Sequence, residues 1–156
     1  MDTNILYNLF QGKGSSDSKA IFDLGLIKQE KVGDILFIIG TLLYWISANQ
    51  SEQAILKDIS QKFSGQQSGN QSNNSSVTIA MASWIFLIAS LIFSKIALIR
   101  LSELRATMSN TSSSNIRKLK GTEIATIGNI IKSVGFAITA IGNQISAQSN
   151  QNVTIR

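Results

Sequence analysis

The chain has 156 residues, enough for one domain with a sizeable core and too few for two. Hydrophobic residues make up 44% and charged residues only 15%, below the roughly 25% usual in soluble domains, which points to lipid or a large protein interface. Cysteine, histidine and proline are absent, which excludes disulfides, thiolate metal sites, thiol nucleophiles and imidazole bases, leaves no residue that forces a kink, and accompanies a mild net charge of +5.

Met1-Asp2-Thr3-Asn4 is acidic and polar where a secretory signal is basic, and the first long apolar run begins only at Ile35, so export by that route is not expected. Asp2, Thr3 or Asn4 is placed to cap a short helix with Ile5, Leu6, Leu9 and Phe10 on one side, and Gly12-Lys13-Gly14-Ser15-Ser16 should break it. Residues 1–16 therefore read as an amphipathic N-terminal segment. The GKGSS stretch lacks the first glycine of a phosphate loop and follows no strand, so it reads as a turn.

A first long helix is expected over 17–60. Its sevens are IFDLGLI, then after one skipped residue QEKVGDI, LFIIGTL and LYWISAN, and the fifth place of each is Gly25, Gly33, Gly40 and Ser47. Residues 61–76 form a Gln, Ser, Gly and Asn-rich linker that cannot build a core. Its Asn-x-Ser triplets would be glycosylation acceptors only in a eukaryotic secretory route. A second helix is expected over 77–106, where IAMASWI, FLIASLI and FSKIALI put Ser83, Ser90 and Ala97 at place five. Residues 107–122 read as a basic loop. The third helix, 123–147, carries the sevens IATIGNI, IKSVGFA and ITAIGNQ with Gly128, Gly135 and Gly142 at place five, and 148–156 is a polar tail.

Places one and four of a heptad form one apolar stripe, and place five lies beside it. A small side chain there lets a partner backbone approach closely, which offsets the roughly 1 kcal/mol that an interior glycine costs a helix relative to alanine. Gly25, Gly33, Gly40, Ser47, Ser83, Ser90, Ala97, Gly128, Gly135 and Gly142 are accordingly the expected helix-packing and oligomerisation positions. The fold expected is all-α: one helical unit of three long heptad-patterned helices with a short N-terminal amphipathic helix and tight small-residue packing.

Val77 to Ser94 is uncharged, and extension past Lys95 to Ile99 gives 23 residues, about 35 Å of helix against a hydrocarbon core of about 30 Å. It is the best transmembrane candidate. Ile35 to Ala48 is shorter, with Tyr44 and Trp45 as candidate interface anchors, and the third helix contains Lys132, Asn129, Asn143 and Gln144. Whether these two helices span or only pack on a spanning neighbour is open. A membrane-embedded hairpin plus a third helix follows.

Lys95, Arg100, Arg105, Arg117, Lys118 and Lys120 all lie after the second apolar stretch, which expects the N-terminus and the 100–122 loop to be cytoplasmic in a bacterial membrane. Arg105, Arg117, Lys118 and Lys120 are candidate contacts for anionic lipid; no aromatic interleaving accompanies them, so nucleic acid is not an expected partner.

The IKSVGFA-ITAIGNQ stretch resembles an uncharacterised group of small Bacillus-type repetitive proteins whose units read W-I-x-A-I-G-x-x-I-x-A-I-G. The resemblance implies a Gram-positive origin and no enzymatic motif, and it transfers no functional residue. Ser or Ala in place of Gly throughout Ile79 to Ile99 departs from that pattern. Asp23, Asp34, Asp58, Glu103 and Glu123 are isolated carboxylates without acid, base or metal spacing, so no enzyme, cofactor, metal or small-molecule substrate is expected. Two readings remain. One is a membrane protein that associates with itself and with the bilayer in a structural, pore or holin-like role, and the other is a cytoplasmic or spore-associated protein that assembles into a filament, tube or shell.

Overall fold

The computed structural model describes the backbone of residues 3–64, 74–108 and 113–153, and the side chains of 17–64, 74–108 and 114–150. Three helices account for nearly all of it: α1 (Thr3–Ser64), α2 (Asn74–Thr107) and α3 (Ser113–Val153). The architecture is all-α, as the heptad pattern predicts.

The helices run longer than expected. α1 passes through Gly12-Lys13-Gly14-Ser15-Ser16 without a break, so the backbone of the expected N-terminal helix forms its first turns. Glycine and serine cost a helix about 1 kcal/mol or less each, whereas proline, which costs about 3, is absent from the chain. The amphipathic character expected of 1–16 lies outside the described side chains, as do most of the polar linker (65–73) and the end of the tail. α3 begins at Ser113, so Arg117, Lys118 and Lys120 sit on its opening turns and not in a loop. At about 1.5 Å per residue, the 62 residues of α1 reach about 93 Å, three times a bilayer core.

α2 is the centre of a single bent layer. It packs against α1 on one side and α3 on the other, both antiparallel to it, while the described backbones of α1 and α3 come nowhere within 8 Å of each other at Cα. A helix with neighbours on two sides needs small residues on both. α2 meets that need with three lines of buried residues at sevenfold spacing: Ala82, Ala89 and Ile96; Ser83 and Ser90; and Ala80, Ser94 and Leu101.

The lines that face α2 are equally regular. On α1 they are Leu26, Gly33, Gly40 and Ser47, and on α3 they are Thr126, Ser133, Ala140 and Ala147, all buried. Gly33 and Gly40 are where the chain closes most tightly. A Cβ on Gly33 would lie 2.9 Å from the Phe93 ring, and one on Gly40 would lie 3.0 Å from the Phe86 ring, so glycine makes the space into which α2 inserts its phenyl rings. These rings join Phe37, Tyr44 and Phe136 on the inner curve of the layer, with Phe86 stacked on Phe136 at 5.4 Å and Phe37 5.9 Å from Phe136.

Gly40→Leu should cost about 1–3 kcal/mol, because the added side chain must displace the Phe86 ring. Gly25→Ala, where nothing lies within 4 Å of the new Cβ, should gain up to about 1 kcal/mol of helix propensity. Denaturant unfolding followed by circular dichroism measures both, and equal effects would show that Gly40 is not a packing position.

Candidate functional site: the seams along the central helix

Hydroxyl groups inside apolar helices need partners, and Ser and Thr find one in the carbonyl a turn back on their own helix. Thr41 donates to Phe37 O, Ser51 to Ser47 O, Thr78 to Asn74 O, Thr126 to Thr122 O and Ser133 to Asn129 O. This leaves the oxygen lone pairs free for a neighbouring helix.

Ser83 uses that freedom fully. It is 0% exposed and donates its proton to Ile79 O at 2.9 Å. Its oxygen then accepts from Asn143 Nδ2 of α3 at 2.6 Å and from the Tyr44 hydroxyl of α1, 3.2 Å away. One serine thus joins all three helices, with its proton and both lone pairs engaged.

A second junction lies about three turns of α2 towards the charged end. Ser94 and Ser133 stand 2.8 Å apart, and both lie within 3.1 Å of the Asn129 carbonyl, so three oxygens share two hydroxyl protons. Towards the other end, Asn150 donates to Ser76 at 2.9 Å, Trp84 to Gln144 at 3.4 Å, and Ser47 to the Ser75 carbonyl at 2.9 Å. Among the described residues no buried side-chain nitrogen or oxygen lacks a partner.

The charged groups of α2 and α3 gather at one end, while α1 also carries Glu52, Lys57, Asp58 and Lys62 beyond the other. Arg100 pairs with Glu30 at 2.6 Å, Arg105 with Glu123 at 2.7 Å, and Lys95 donates to Gln29 at 3.3 Å. Arg105, a candidate lipid contact, is therefore tied to a carboxylate, whereas Arg117, Lys118 and Lys120 are exposed on α3. An open recess of about 350 Å³ at this end is lined by Glu30, Phe93, Arg100, Thr122, Thr126 and Asn129. Lys132 leans inward, its Nζ 4.4 Å from the Phe37 ring centroid and 5.8 Å from that of Phe136.

The ten expected packing positions divide. Gly33, Gly40, Ser47, Ser83 and Ser90 are buried in the seams, and the carbonyl of Ala97 faces Thr126 at 3.4 Å. Gly25 has nothing within 4 Å, and Leu26 beside it faces α2 instead, because a strict sevenfold line through Gly33 meets residue 26. Gly128, Gly135 and Gly142 are exposed with nothing within 4 Å. On α3 it is place three, not place five, that meets α2. The signal was present: Thr126, Ser133, Ala140 and Ala147 are all small. Tyr44 and Asn143 carry no such pattern, since only tertiary register brings them to Ser83.

The described carboxylates form no group of three metal-ligating side chains. Comparison with family models, with curated proteins and with solved structures finds no match for this chain in any of the three.

Ser83→Ala should cost about 1 kcal/mol or more, since it removes the acceptor of the half-buried Asn143 amide and of the Tyr44 hydroxyl. In a double-mutant cycle of Ser83→Ala and Asn143→Ala, read by thermal unfolding, the second change should cost less once the first is made. Simple additivity would show that the two do not interact.

Proposed function

We propose that the chain is a small integral membrane protein of three spanning helices that associates with itself, in a structural or pore-forming, holin-like role. One observation carries the reading. Each helix has a stretch long and apolar enough to cross a membrane, yet only 17% of that stretch on α1, 28% on α2 and 17% on α3 is buried within the protein. Large apolar side chains such as Ile35, Ile38, Leu42, Trp45, Met81, Ile88 and Leu91 point outward. In water such surface is unfavourable at about 25 cal/mol per Å², and in hydrocarbon it is at no disadvantage.

The tertiary register favours the same reading. Gly33 lies opposite Phe93, and Ser94 bonds to Ser133, so Asp34, Lys95 and Lys132 stand at one level. From there towards the far end all three helices are uncharged: 35–51 on α1, 75–94 on α2 and 133–150 on α3. The slab is about 26 Å thick on α1, close to a bilayer core of about 30 Å, and the lysines at its border have stems long enough to snorkel. Of the polar residues of α3 inside it, Ser133, Asn143, Gln144 and Asn150 are bonded to α2, while Ser146, Gln148 and Ser149 are exposed.

The end carrying Arg100, Arg105, Arg117, Lys118 and Lys120 is taken to face the cytoplasm, with Arg117, Lys118 and Lys120 available to anionic headgroups and the 65–73 segment outside. The chain is proposed to act on no small-molecule substrate and to need no cofactor.

The assembly reading, a filament, tube or shell, draws on the same exposed apolar faces, which could be covered by other copies instead of lipid. After expression in bacteria, the protein should stay in the membrane pellet through a carbonate wash and leave it only with detergent. Recovery in the supernatant as regular particles would favour the shell or filament. For topology, Gln67→Cys should react with an impermeant maleimide on intact cells and Ser114→Cys only after permeabilisation; the reverse would invert the orientation.

A further inference from the structure

The two outer edges of the layer are complementary. The edge of α1 turned away from α2 carries Ile35, Ile38, Leu42 and Trp45, with Ile38 60% and Trp45 65% exposed. The corresponding edge of α3 carries Gly128, Gly135 and Gly142, flanked by Ile131, Ile138 and Ile145, which are 61–68% exposed. One edge is therefore a row of bulky side chains and the other a row of gaps between isoleucines.

Axial register makes these rows match. Phe37 meets Phe136, and Tyr44 and Asn143 meet on Ser83, so α1 and α3 run parallel with Ile35 and Leu42 within about one residue, roughly 1.5 Å, of the levels of Gly135 and Gly142. Ile38 falls within about one residue of the level of Ile138, and Trp45 of that of Ile145. At the end away from the charges both edges turn polar at a common level, at Asn49 on α1 and Ser149 on α3. The molecule contains the same packing already: glycines of α1 seven residues apart receive the phenyl rings of α2. On α3 the equivalent gaps stand empty.

We propose that the occupant of this α3 edge is the α1 edge of a second copy, Ile35 and Leu42 seating at Gly135 and Gly142. Rotation about an axis parallel to the helices preserves level, so copies in one orientation in a bilayer pair α3 to α1 without axial shift. The contact is head-to-tail, each copy offering one edge of each kind, and it closes into a ring or continues as a ribbon. A lipid tail cannot supply the close backbone contact that a matched helix makes at a glycine row. The proposal takes its setting from the membrane reading but does not depend on it for the pairing of edges.

The absence of cysteine allows a clean test. Ile38→Cys and Ile138→Cys, carried on separately tagged copies and expressed together, should form a disulfide-linked dimer on mild oxidation, while neither variant alone should do so. The double variant should give a ladder of multimers. Adding Gly135→Ile and Gly142→Ile should abolish the cross-link without changing the circular dichroism spectrum, because no side chain of the same copy lies near either glycine. A dimer from Ile138→Cys alone would overturn the proposal in favour of a symmetric α3 pair, and no cross-link in any combination would leave the edge to lipid and overturn it equally. A carbonate wash of the same samples keeps the two questions apart: protein released to the supernatant defeats the membrane reading, while the cross-link pattern still decides the edges.

Discussion

Everything in this molecule depends on α2 having a neighbour on each side. A central helix in a layer cannot keep an outward face on either flank, so it must present small residues in two directions while still filling the space between helices. Ala82 and Ala89 with Ser83 and Ser90 give the close approach, and Phe86 and Phe93 fill the gaps that Gly33 and Gly40 leave on α1. The exchange of volume is local: a ring on one helix for an absent side chain on the next. Packing at this density makes the seam intolerant of added volume at the glycines and makes register specific, since a slip along α1 would drive a ring into a backbone.

Close packing of backbones brings polar groups together as well. Serine is small enough for the seam and carries a hydroxyl that must be satisfied there, and the back-bond to the preceding turn commits its proton while leaving its oxygen open. Ser83 turns that residual capacity into a three-helix junction with Tyr44 and Asn143, and Ser94 and Ser133 form a second. The exposed ion pairs of Arg100 with Glu30 and Arg105 with Glu123 add at most about 1 kcal/mol each, so the polar seams and the aromatic inner face, not the surface charges, align the helices.

The function proposed follows from where the apolar side chains are not used. Three helices that bury under a third of their most apolar stretches leave a molecule whose surface, over the uncharged slab, is suited to hydrocarbon or to more copies of itself. Lys132 illustrates how register changes a functional reading. Along the chain it sits within the third apolar stretch, where a charge suggests a polar interior. In the fold it stands level with Lys95 and Asp34, at the slab's border, over the rings of Phe37 and Phe136.

Much of this was legible without coordinates. The absence of proline and the sevenfold apolar spacing dictate helices, because both act through neighbours three and four residues apart on the same chain. The small fifth places of α1 and α2 mark seams for the same reason. Continuity through Gly12–Ser16 is not legible in the same way, because glycine and serine break a helix only weakly and the neighbouring turns carry it through. Place three and place five of the third helix are both small at every turn, so periodicity alone could not choose between Thr126, Ser133, Ala140 and Ala147 on one side and Gly128, Gly135 and Gly142 on the other. Tertiary structure decided it: α2 fills its own α3 side with Ser94, Ala80 and Leu101, Ser133 on α3 answers Ser94 while Thr126 donates to the Ala97 carbonyl, and the glycine row is turned outward. The sequence alone determined that the helices would carry small-residue seams, a property of each helix by itself. Which seam closes within the molecule and which is left open is a property of three helices together, set by complementary volume and hydrogen bonds between residues far apart in the chain.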